Sequence, residues 1–354
     1  MNHIDRAQRQ QLFRDILKGV SRSFYLTLRV LPAQLREPIA LAYLLARAAD
    51  TLADTTVLPQ TQRLQYLNAF KRYVLDTDLV AESDNIQHAL QGHLENPDEA
   101  RLLHMLPQLF TLFTAQSDAD KSLIRRVVNT LLDGMIFDLD TFPMEESGEV
   151  KALQHEIELD KYTYMVAGCV GEFWTDISML HVPALAVWDR DKLVEQGVRF
   201  GKALQLTNIL RDLPRDLRIG RCYLPQEWLS QQNLHVDDLF NISNIDKAQA
   251  LLRRGIVIAL KYYEAAERYL LAIPRHCLRL RLAVLWPMMI GLATLQKLAT
   301  STNWLDFDTT IRIDRRWVYT MIAQSLVKAG SNTGLRSWVN GLRVDCERSI
   351  SGML

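Results

Sequence analysis

Apolar residues recur at three- and four-residue spacing along most of the chain, and this periodicity limits the folds open to it. The pattern is clear in "PAQLREPIALAYLLARAADTLADT", "RRVVNTLLDGMIFDLDTF" and "KAQALLRRGIVIALKYYEAAERYLLAI". Such spacing places the apolar side chains on one face of an α-helix. Runs that alternate strictly between apolar and polar residues, which would indicate half-buried strands, are missing. The sequence therefore predicts an all-α protein.

The breaks between the helical segments are short. They fall near Pro59 and within "ENPDEA", "MEESGE" and "HVPAL", where proline, glycine or polar residues cluster. None of them is long enough to be a domain linker, and no internal repeat is visible. We therefore expect one helical domain over residues 1–354, in which residues 301–354 form a closing C-terminal helical segment after a polar loop.

Charge and cysteine usage exclude several kinds of function. Lys plus Arg and Asp plus Glu each number 41 in the 354 residues, so the chain has no global basic field for binding nucleic acid. The four cysteines show neither C-x-x-C nor zinc-ligand spacing, which predicts a reducing, cytoplasmic location. The polar start of the chain is not a signal peptide, and the uncharged stretch 282–296 is too short to span a bilayer. We expect a core helix there, no transmembrane anchor and at most peripheral membrane contact.

Two helical segments each carry aspartates four residues apart, on what reads as the apolar stripe of the helix. Each pair follows an arginine, and the six residues are Arg47, Asp50, Asp54, Arg211, Asp212 and Asp216. Residues at i and i+4 lie on one helical face, so both acids of a pair point the same way. If the two helices face one another across a cavity, four carboxylates converge and need cations. Mg²⁺ is the natural partner because it takes carboxylate, water and phosphate oxygens.

Further arginines lie around the aspartates in the sequence, namely Arg22, Arg215, Arg218 and Arg221. Guanidinium groups bind phosphate oxygens bidentately, so acids with interleaved arginines suit a metal-bridged diphosphate. The alternative is a pair of exposed, salt-bridged helix ends, which are common on protein surfaces and contribute little stability. The duplication of the motif favours diphosphate binding.

A proline interrupts the second motif. Pro214 lies between Asp212 and Asp216, and a proline inside a helix removes a hydrogen bond and costs about 3 kcal/mol. Either the helix ends here and Asp216 lies in a loop, or the helix kinks and re-aims that carboxylate. The sequence leaves both alternatives open.

The segment "LDKYTYMVAGCVGEFW" combines tyrosines with small residues. Tyr162 and Tyr164 precede Ala167, Gly168 and Gly171. Because glycine in a helix costs about 1 kcal/mol relative to alanine, a packing or ligand reason is expected. The small residues either clear space for a long apolar substrate or allow two helices to pack closely. A tyrosine there either relays a proton or satisfies its hydroxyl group within the core.

The motifs "SRSFY", "ARAADTLADT", "YTYMVAGCVGE" and "QLTNILRDLPRDLRIGRCYLPQE" resemble those of the squalene/phytoene synthase family. The resemblance covers roughly residues 15–300. It implies the isoprenoid (terpenoid) synthase fold, with a single helical domain around a central cavity. It also implies a Mg²⁺-dependent reaction that joins two allylic diphosphates head to head through a cyclopropyl diphosphate.

The resemblance also assigns roles to individual residues. The residues implied as ligands of Mg²⁺ are Asp50, Asp54, Asp212 and Asp216. The residues implied in catalysis are Arg47, Arg211 and Tyr162, the last by helping to remove the proton when the cyclopropane ring forms. The residues implied in substrate binding are Arg22, Ser23, Phe24, Ala167, Gly171, Gln205, Asn208 and Arg221. The chain departs from the family pattern at Ala53 and Thr55, where many relatives carry another acid, and at Met165, where many carry an aromatic residue.

The stretches "LDKYTYMVAGCVGE" and "WPMMIGLATLQKL" resemble the squalene branch of the family more closely. The resemblance therefore implies a squalene synthase, which joins two farnesyl diphosphates through presqualene diphosphate and reduces the product with NADPH. Because no G-x-G-x-x-G follows a strand, NADPH would bind in the helical cavity. The alternative is a phytoene or dehydrosqualene synthase, which loses a proton instead. A non-catalytic assembly factor of the same fold is less favoured, because all four aspartates are present.

Overall fold

A computed structural model describes residues 6–21, 24–55, 57–75, 96–308 and 311–351. Over these residues the chain is almost entirely helical, and the strands described are two segments of two residues each. The all-α prediction is therefore confirmed. The chain divides into two compact units: unit 1 takes Met1–Leu139 and Asp176–Pro183, and unit 2 takes Asp140–Thr175 and Ala184–Leu354. The organisation as one domain stays a prediction.

Unit 1 is built around the long helix α4. Its helical segments are α1 (Arg6–Gln10), a π-helical turn (Gln11–Ile16), α2 (Leu17–Ser21), α3 (Phe24–Val30), α4 (Ala33–Asp54), α5 (Gln60–Leu75), α6 (Pro97–His104), α7 (Leu106–Thr114) and, up to Leu139, α8 (Asp118–Thr141). α4 contacts α5, α6 and α7, because its apolar side chains at three- and four-residue spacing, including Leu41, Leu44 and Leu45, are fully buried. Its last turn, which carries the first aspartate pair, is thereby held within this unit.

Unit 2 contains the second aspartate pair on its longest helix. Its segments are β1 (Lys151–Ala152), α9 (Glu156–Thr163), a π-helical turn (Tyr164–Gly168), the first part of α10 (Cys169–His181), α11 (Arg190–Arg218), β2 (Arg221–Cys222), α12 (Gln226–Gln231), α13 (Ile245–Ala272), α14 (Leu278–Ala299), α15 (Arg315–Lys328) and α16 (Asn332–Ser351). β1 and β2 pair in parallel. α11 packs along α13 and against α14, so the aspartate-bearing helix lies against the core of unit 2.

The uncharged stretch 282–296 lies in α14. Among the described helices, Leu278–Ala299 is the one long and apolar enough to cross a membrane, yet 78% of its most apolar 18-residue window is buried inside the structure. Within unit 2 it contacts α11, α13, α15 and α16. The prediction of a core helix is confirmed, although the helix is longer than the uncharged stretch because it includes Arg279 and Arg281.

Arg281 is fully buried at the start of α14 and attaches the C-terminal helices to it. Its guanidinium donates to the carbonyl oxygens of Ile273 at 3.0 Å and Ala329 at 2.6 Å, and to Oδ1 of Asn332. Burial, with repulsion from Arg275, lowers its pKa. A buried guanidinium is strongly destabilising unless its N–H groups find acceptors. These acceptors therefore fix the turn between α15 and α16 against α14.

Candidate active site

The first aspartate pair lies on the last turns of α4. Asp54 is the final residue of the helix and is exposed, and the side chain of Asp50 is 35% exposed. The buried stripe runs instead through Ala48 and Leu52. Asp50 stands two residues from each of them, roughly 200° around the helix. The prediction that the pair lies on the apolar stripe is therefore wrong for α4, where the acids occupy the opposite side.

Arg47 connects this pair to a carboxylate that the sequence analysis did not single out. Its guanidinium donates to Oδ2 of Asp50 and, at 2.5 Å, to Oε1 of Glu99. Glu99 also accepts a hydrogen bond from Asn96 at 3.0 Å, and Asn96 caps α6 through the N–H of Asp98. An Asn followed three residues later by Glu indicates a helix start. Nothing in the sequence, however, pairs Glu99 with Arg47.

The electrostatics around Asp50 suit a cation. Burial and repulsion by Asp54 raise the pKa of Asp50 to about 7, and the charge of Glu99 adds to this increase although Arg47 opposes it. The anionic form of Asp50 is thus unfavourable beside its neighbours. A divalent cation between the two carboxylates would reverse that balance.

Phe24 lies beside the same helix. Its ring centroid is 5.0 Å from that of Tyr43, whose hydroxyl donates to the carbonyl oxygen of Val20 at 3.0 Å. Tyr43 precedes Arg47 by four residues, so Phe24 packs on the side of α4 that bears the arginine and the aspartates. Arg22 and Ser23, which were predicted to bind diphosphate, lie outside the described residues.

The second aspartate pair lies near the end of α11. A partly exposed polar stripe runs along this helix through Gln205, Asn208, Asp212 and Asp216, at three- and four-residue spacing. Arg211 binds the carboxylate of Asp212 bidentately, from Nε at 2.8 Å and from Nη2 at 2.5 Å. Both aspartate pairs thus have an arginine of their own helix held against one carboxylate.

α11 does not end at Pro214. It continues to Arg218, so Asp216 lies within the helix and the loop alternative is wrong. Proline has no N–H, and the carbonyl of Leu210, four residues earlier, therefore loses its usual donor. That carbonyl instead accepts a hydrogen bond from the indole Nε1 of Trp304 at 2.6 Å. Trp304 satisfies the group that the proline leaves open.

A tight turn after α11 positions Arg221. Gly220 has φ of +81°, a conformation that favours glycine, and a Cβ there would lie 2.6 Å from the carbonyl oxygen of Glu149. The turn leads into β2, where Nη2 of Arg221 lies 3.2 Å from Oε1 of Glu145. The side chain of Arg221 is 11% exposed. Its guanidinium is therefore fixed within unit 2 by an ion pair and by burial.

Tyr162 is buried beside β2. Its ring stacks on that of Tyr223 with centroids 4.6 Å apart, and Tyr223 meets Phe142 edge to face at 5.0 Å. Burial, with a contribution from the charge of Asp216, raises the pKa of the Cys222 thiol to about 12. Since Cys222 and Tyr223 are adjacent, β2 brings Tyr162 and Asp216 to the same part of unit 2. The aromatic partners of Tyr162 had no recognisable signal in the sequence.

The small residues after Tyr164 allow close helix packing. A Cβ on Gly171 would lie 1.9 Å from the carbonyl oxygen of Gly197, and one on Gly201 would lie 2.2 Å from that of Ala167. The backbone around Ala167 and Gly171 therefore packs directly against α11, and the structure supports the packing alternative at Gly171. The role of Ala167 and Gly171 in substrate binding stays a prediction.

Neither aspartate pair forms a complete metal site by itself. Within the part of the chain that the structure describes, no group of three or more His, Cys, Asp and Glu side chains is placed to hold a metal ion. Each pair offers two carboxylates, and Mg²⁺ typically takes one or two together with water and substrate phosphate oxygens. With the raised pKa of Asp50, this donor set fits a divalent ion that binds together with a diphosphate. The convergence of the two pairs on shared ions stays a prediction.

Comparison with known proteins identifies the family. The family model for squalene/phytoene synthases matches residues 17–317. The bifunctional lycopene cyclase/phytoene synthase of Phaeosphaeria nodorum is 29% identical over 291 residues, which cover 79% of this chain and 45% of that protein. The protein of the same description from Leptosphaeria maculans is 30% identical over 261 residues, covering 73% and 41%. The chain thus spans less than half the length of these relatives.

Solved structures show the same fold. A ligand complex of TcSQS matches with a TM-score of 0.74 at 20% identity, covering 97% of this chain and 99% of that chain. A dehydrosqualene synthase matches with a TM-score of 0.62 at 19% identity, covering 91% and 97%. The isoprenoid synthase fold implied by the sequence resemblance is confirmed. The chain belongs to the squalene/phytoene synthase family, whose members join prenyl diphosphates head to head.

Proposed function

We propose that this member of the squalene/phytoene synthase family is a Mg²⁺-dependent prenyltransferase that joins two prenyl diphosphates and forms a phytoene-type hydrocarbon without a reductant. The observation that supports the reaction is that each aspartate pair carries its own arginine, bound to Asp50 in one unit and to Asp212 in the other. The product branch is supported by curated relatives, whose names include phytoene synthase. This branch is the alternative, not the squalene synthase that the sequence resemblance favoured.

The acids and arginines would act on the leaving group. The residues that would hold the metal are Asp50, Asp54, Asp212 and Asp216. Bound Mg²⁺ would stabilise the negative charge that develops on a departing diphosphate. Arg47 and Arg211 would bind the diphosphate oxygens by exchanging part of their present bonds to carboxylates for bonds to phosphate. Arg221, already fixed by Glu145, would contribute a further cation near the second pair.

The residues around the acids would handle the rest of the substrate. Gln205 and Asn208 lie on the stripe that leads to Asp212 and would bind near the diphosphate, and Phe24 would do so near the first pair. Tyr162 would help to remove the proton lost when the cyclopropane ring closes, and its stack on Tyr223 holds its ring in place. The apolar surroundings would keep water from an allylic cation.

Product identity with and without NADPH tests the proposal. The purified protein is incubated with Mg²⁺ and farnesyl or geranylgeranyl diphosphate, and the extracted hydrocarbon is identified by mass spectrometry. We expect one unreduced product in both conditions and none from Asp50→Asn or Asp212→Asn. Asp118→Asn is the control, since this carboxylate is fully exposed and pairs with Lys121, its neighbour one turn along α8. Unchanged yields from the Asp50 and Asp212 variants would show that the site is wrong.

Squalene synthesis is the second candidate function. It would use two farnesyl diphosphates and NADPH, the latter bound in the helical cavity. The match to TcSQS, which covers nearly all of both chains, favours it. A reduced hydrocarbon that forms only when NADPH is present would establish this function in place of the phytoene-type reaction.

The other expectations from the sequence remain proposals. The length of the prenyl chain, a cytoplasmic location and peripheral membrane contact belong here. A non-catalytic assembly role is disfavoured because all four aspartates are retained, and detection of any hydrocarbon product would exclude it.

A further inference from the structure

Residues 303–308 form a loop, called the 303–308 loop, that contacts the aspartate-bearing end of α11. None of its residues is among the predicted site residues. Its Trp304 is 2% exposed and donates from Nε1 to the carbonyl oxygen of Leu210, two residues before Asp212. The side chain of Leu210 is held as well, since a Cβ on Gly255 of α13 would lie 2.6 Å from its Cδ2. Both the backbone and the side chain of Leu210 are thus fixed.

The same loop contacts α11 beyond the aspartate pair. The guanidinium of Arg218 lies 5.2 Å from the ring centroid of Phe307, and its Nη2 is 3.3 Å from Oδ1 of Asp308. Phe307 itself stacks on Phe240 at 5.5 Å. Because Arg218 stands two residues after Asp216, the loop contacts α11 on both sides of the pair. The Trp304 contact is the stronger of the two, since Arg218 and Asp308 are both exposed.

Pro214 gives the Trp304 contact a particular importance. In an uninterrupted helix the N–H of residue 214 would donate to Leu210, and the indole would be an additional donor. With proline at this position, the indole is the donor that the structure provides. Without it, the Leu210 carbonyl would lose the donor that takes the place of the missing N–H, which is unfavourable at a buried position. The turn between Leu210 and Pro214, which contains Asp212, would then shift towards another donor.

We propose that Trp304 is a positioning residue for the second aspartate pair. By donating the hydrogen bond that Pro214 cannot make, it sets the direction in which Asp212 and Asp216 present their carboxylates to a metal-bound diphosphate. This inference rests on the proposed function, which assigns that role to the two aspartates. It requires that replacing Trp304 weakens Mg²⁺ binding only when residue 214 is proline.

Trp304→Phe tests the role because it removes the indole donor and keeps an aromatic ring. Trp286→Phe is the matched control: Trp286 is also buried, but its Nε1 donates to Oγ of Ser325 on α15 at 2.9 Å. The readout is the rise in Tm when Mg²⁺ is titrated in the presence of inorganic diphosphate. We expect both variants to lower the basal Tm. Only Trp304→Phe should raise the half-saturating Mg²⁺ concentration, by roughly tenfold or more.

Pro214→Ala completes the test because it restores an N–H that can donate to Leu210. In this background, Trp304→Phe should change the half-saturating Mg²⁺ concentration by less than about twofold, since the two residues act on one carbonyl. Equal weakening in both backgrounds would overturn the proposal, and so would an effect no larger than that of Trp286→Phe. Should Trp304→Phe fold only together with Pro214→Ala, the coupling is supported; failure to fold in both backgrounds overturns it.

Failure of this proposal can be distinguished from failure of the proposed function. A wild-type protein that responds to Mg²⁺ and diphosphate but yields no hydrocarbon would refute the proposed reaction and leave the role of Trp304 intact. A wild-type protein whose Tm does not respond to Mg²⁺ and diphosphate would overturn both.

Discussion

Glu99 accepts a hydrogen bond from Arg47 at 2.5 Å, although the two residues stand 52 positions apart in the chain. The side chain of Glu99 is 18% exposed, so this charge-assisted bond forms with little competition from water. It holds the guanidinium beside Asp50, to which Arg47 also donates. Glu99 therefore helps to fix the position of the Arg47 guanidinium, which under the proposed function binds the diphosphate.

Replacing Glu99 by Gln should weaken this arrangement without removing the acceptor. We expect the KM for the prenyl diphosphate to rise roughly fivefold, because a charge-assisted bond to Arg47 becomes a neutral one. Steady-state kinetics would measure it. Glu37→Gln is the control, since Glu37 lies on α4, the helix of Arg47, and forms an exposed pair with Arg9. An equal KM in Glu99→Gln and wild type would contradict the positioning role of Glu99.

Asp50 should make the metal response depend on pH. Its pKa is about 7 in the folded protein against an ordinary 3.8, so between these values the fold binds a proton that the unfolded chain does not. Through this group, the stability of the metal-free protein falls as the pH rises from about 4 to 7. Mg²⁺ with diphosphate should therefore raise the Tm more at pH 8 than at pH 5.5, because no proton has to be displaced at pH 8.

Asp50→Asn should reduce both the Mg²⁺-induced Tm shift and its dependence on pH, whereas Asp118→Asn should keep both. Calorimetric or fluorescence-monitored melting at the two pH values would measure the effect. Identical Mg²⁺-induced Tm shifts at both pH values in the wild type would show that Asp50 is not a ligand with a raised pKa.

Gly171→Ala and Gly341→Ala should change stability in opposite directions. A Cβ on Gly171 meets the backbone of Gly197 at 1.9 Å, whereas a Cβ on Gly341, exposed in α16, meets nothing within 4 Å. We expect Gly171→Ala to lower the free energy of unfolding by about 3 kcal/mol. Gly341→Ala should raise it by about 0.5–1 kcal/mol through helix propensity. Urea unfolding would measure both changes in the free energy of unfolding. If Gly171→Ala kept wild-type stability but altered the product, Gly171 would be assigned to the substrate cavity.

Gly220→Ala should displace Arg221 from its position. Gly148→Ala is the control that separates backbone strain from a steric collision. Both glycines have positive φ, +81° and +71°, but only at Gly220 would a Cβ collide, lying 2.6 Å from the carbonyl oxygen of Glu149. Gly148→Ala should cost about 1 kcal/mol of stability from backbone strain alone. Gly220→Ala should cost more and should also raise the KM for the diphosphate, since the turn carries Arg221. If both variants have wild-type KM, the turn does not position a diphosphate-binding arginine.

Some of the site follows from local pattern. The three- and four-residue spacing of leucines and alanines around Asp50 and Asp212 predicted helices, and i,i+4 spacing then predicted which acids share a face. The same spacing gave a wrong prediction for the first pair. Ala and Leu are the neighbours of Asp50 in sequence, but Asp50 lies on the side of the helix away from the buried stripe. The direction of the buried stripe depends on which neighbouring helices pack against it, and α5, α6 and α7 decide that for α4.

The proline in the second motif shows what local sequence pattern cannot predict. A missing N–H at residue 214 is certain from the amino acid alone, and so is the open carbonyl at Leu210 if the helix continues. The side-chain donor to that carbonyl is Trp304, 94 residues away, and no spacing rule connects an indole to a particular carbonyl.

The order of amino acids thus determined the helices, the two aspartate pairs and the arginine beside each. Tertiary packing determined the distant partners of these residues, which are Glu99 for Arg47, Tyr223 for Tyr162 and Trp304 for Leu210. Helices and caps arise from interactions within a few residues, which a sequence displays directly. Hydrogen bonds and ring stacks between distant segments depend on how whole helices pack, and that packing is a property of the folded chain.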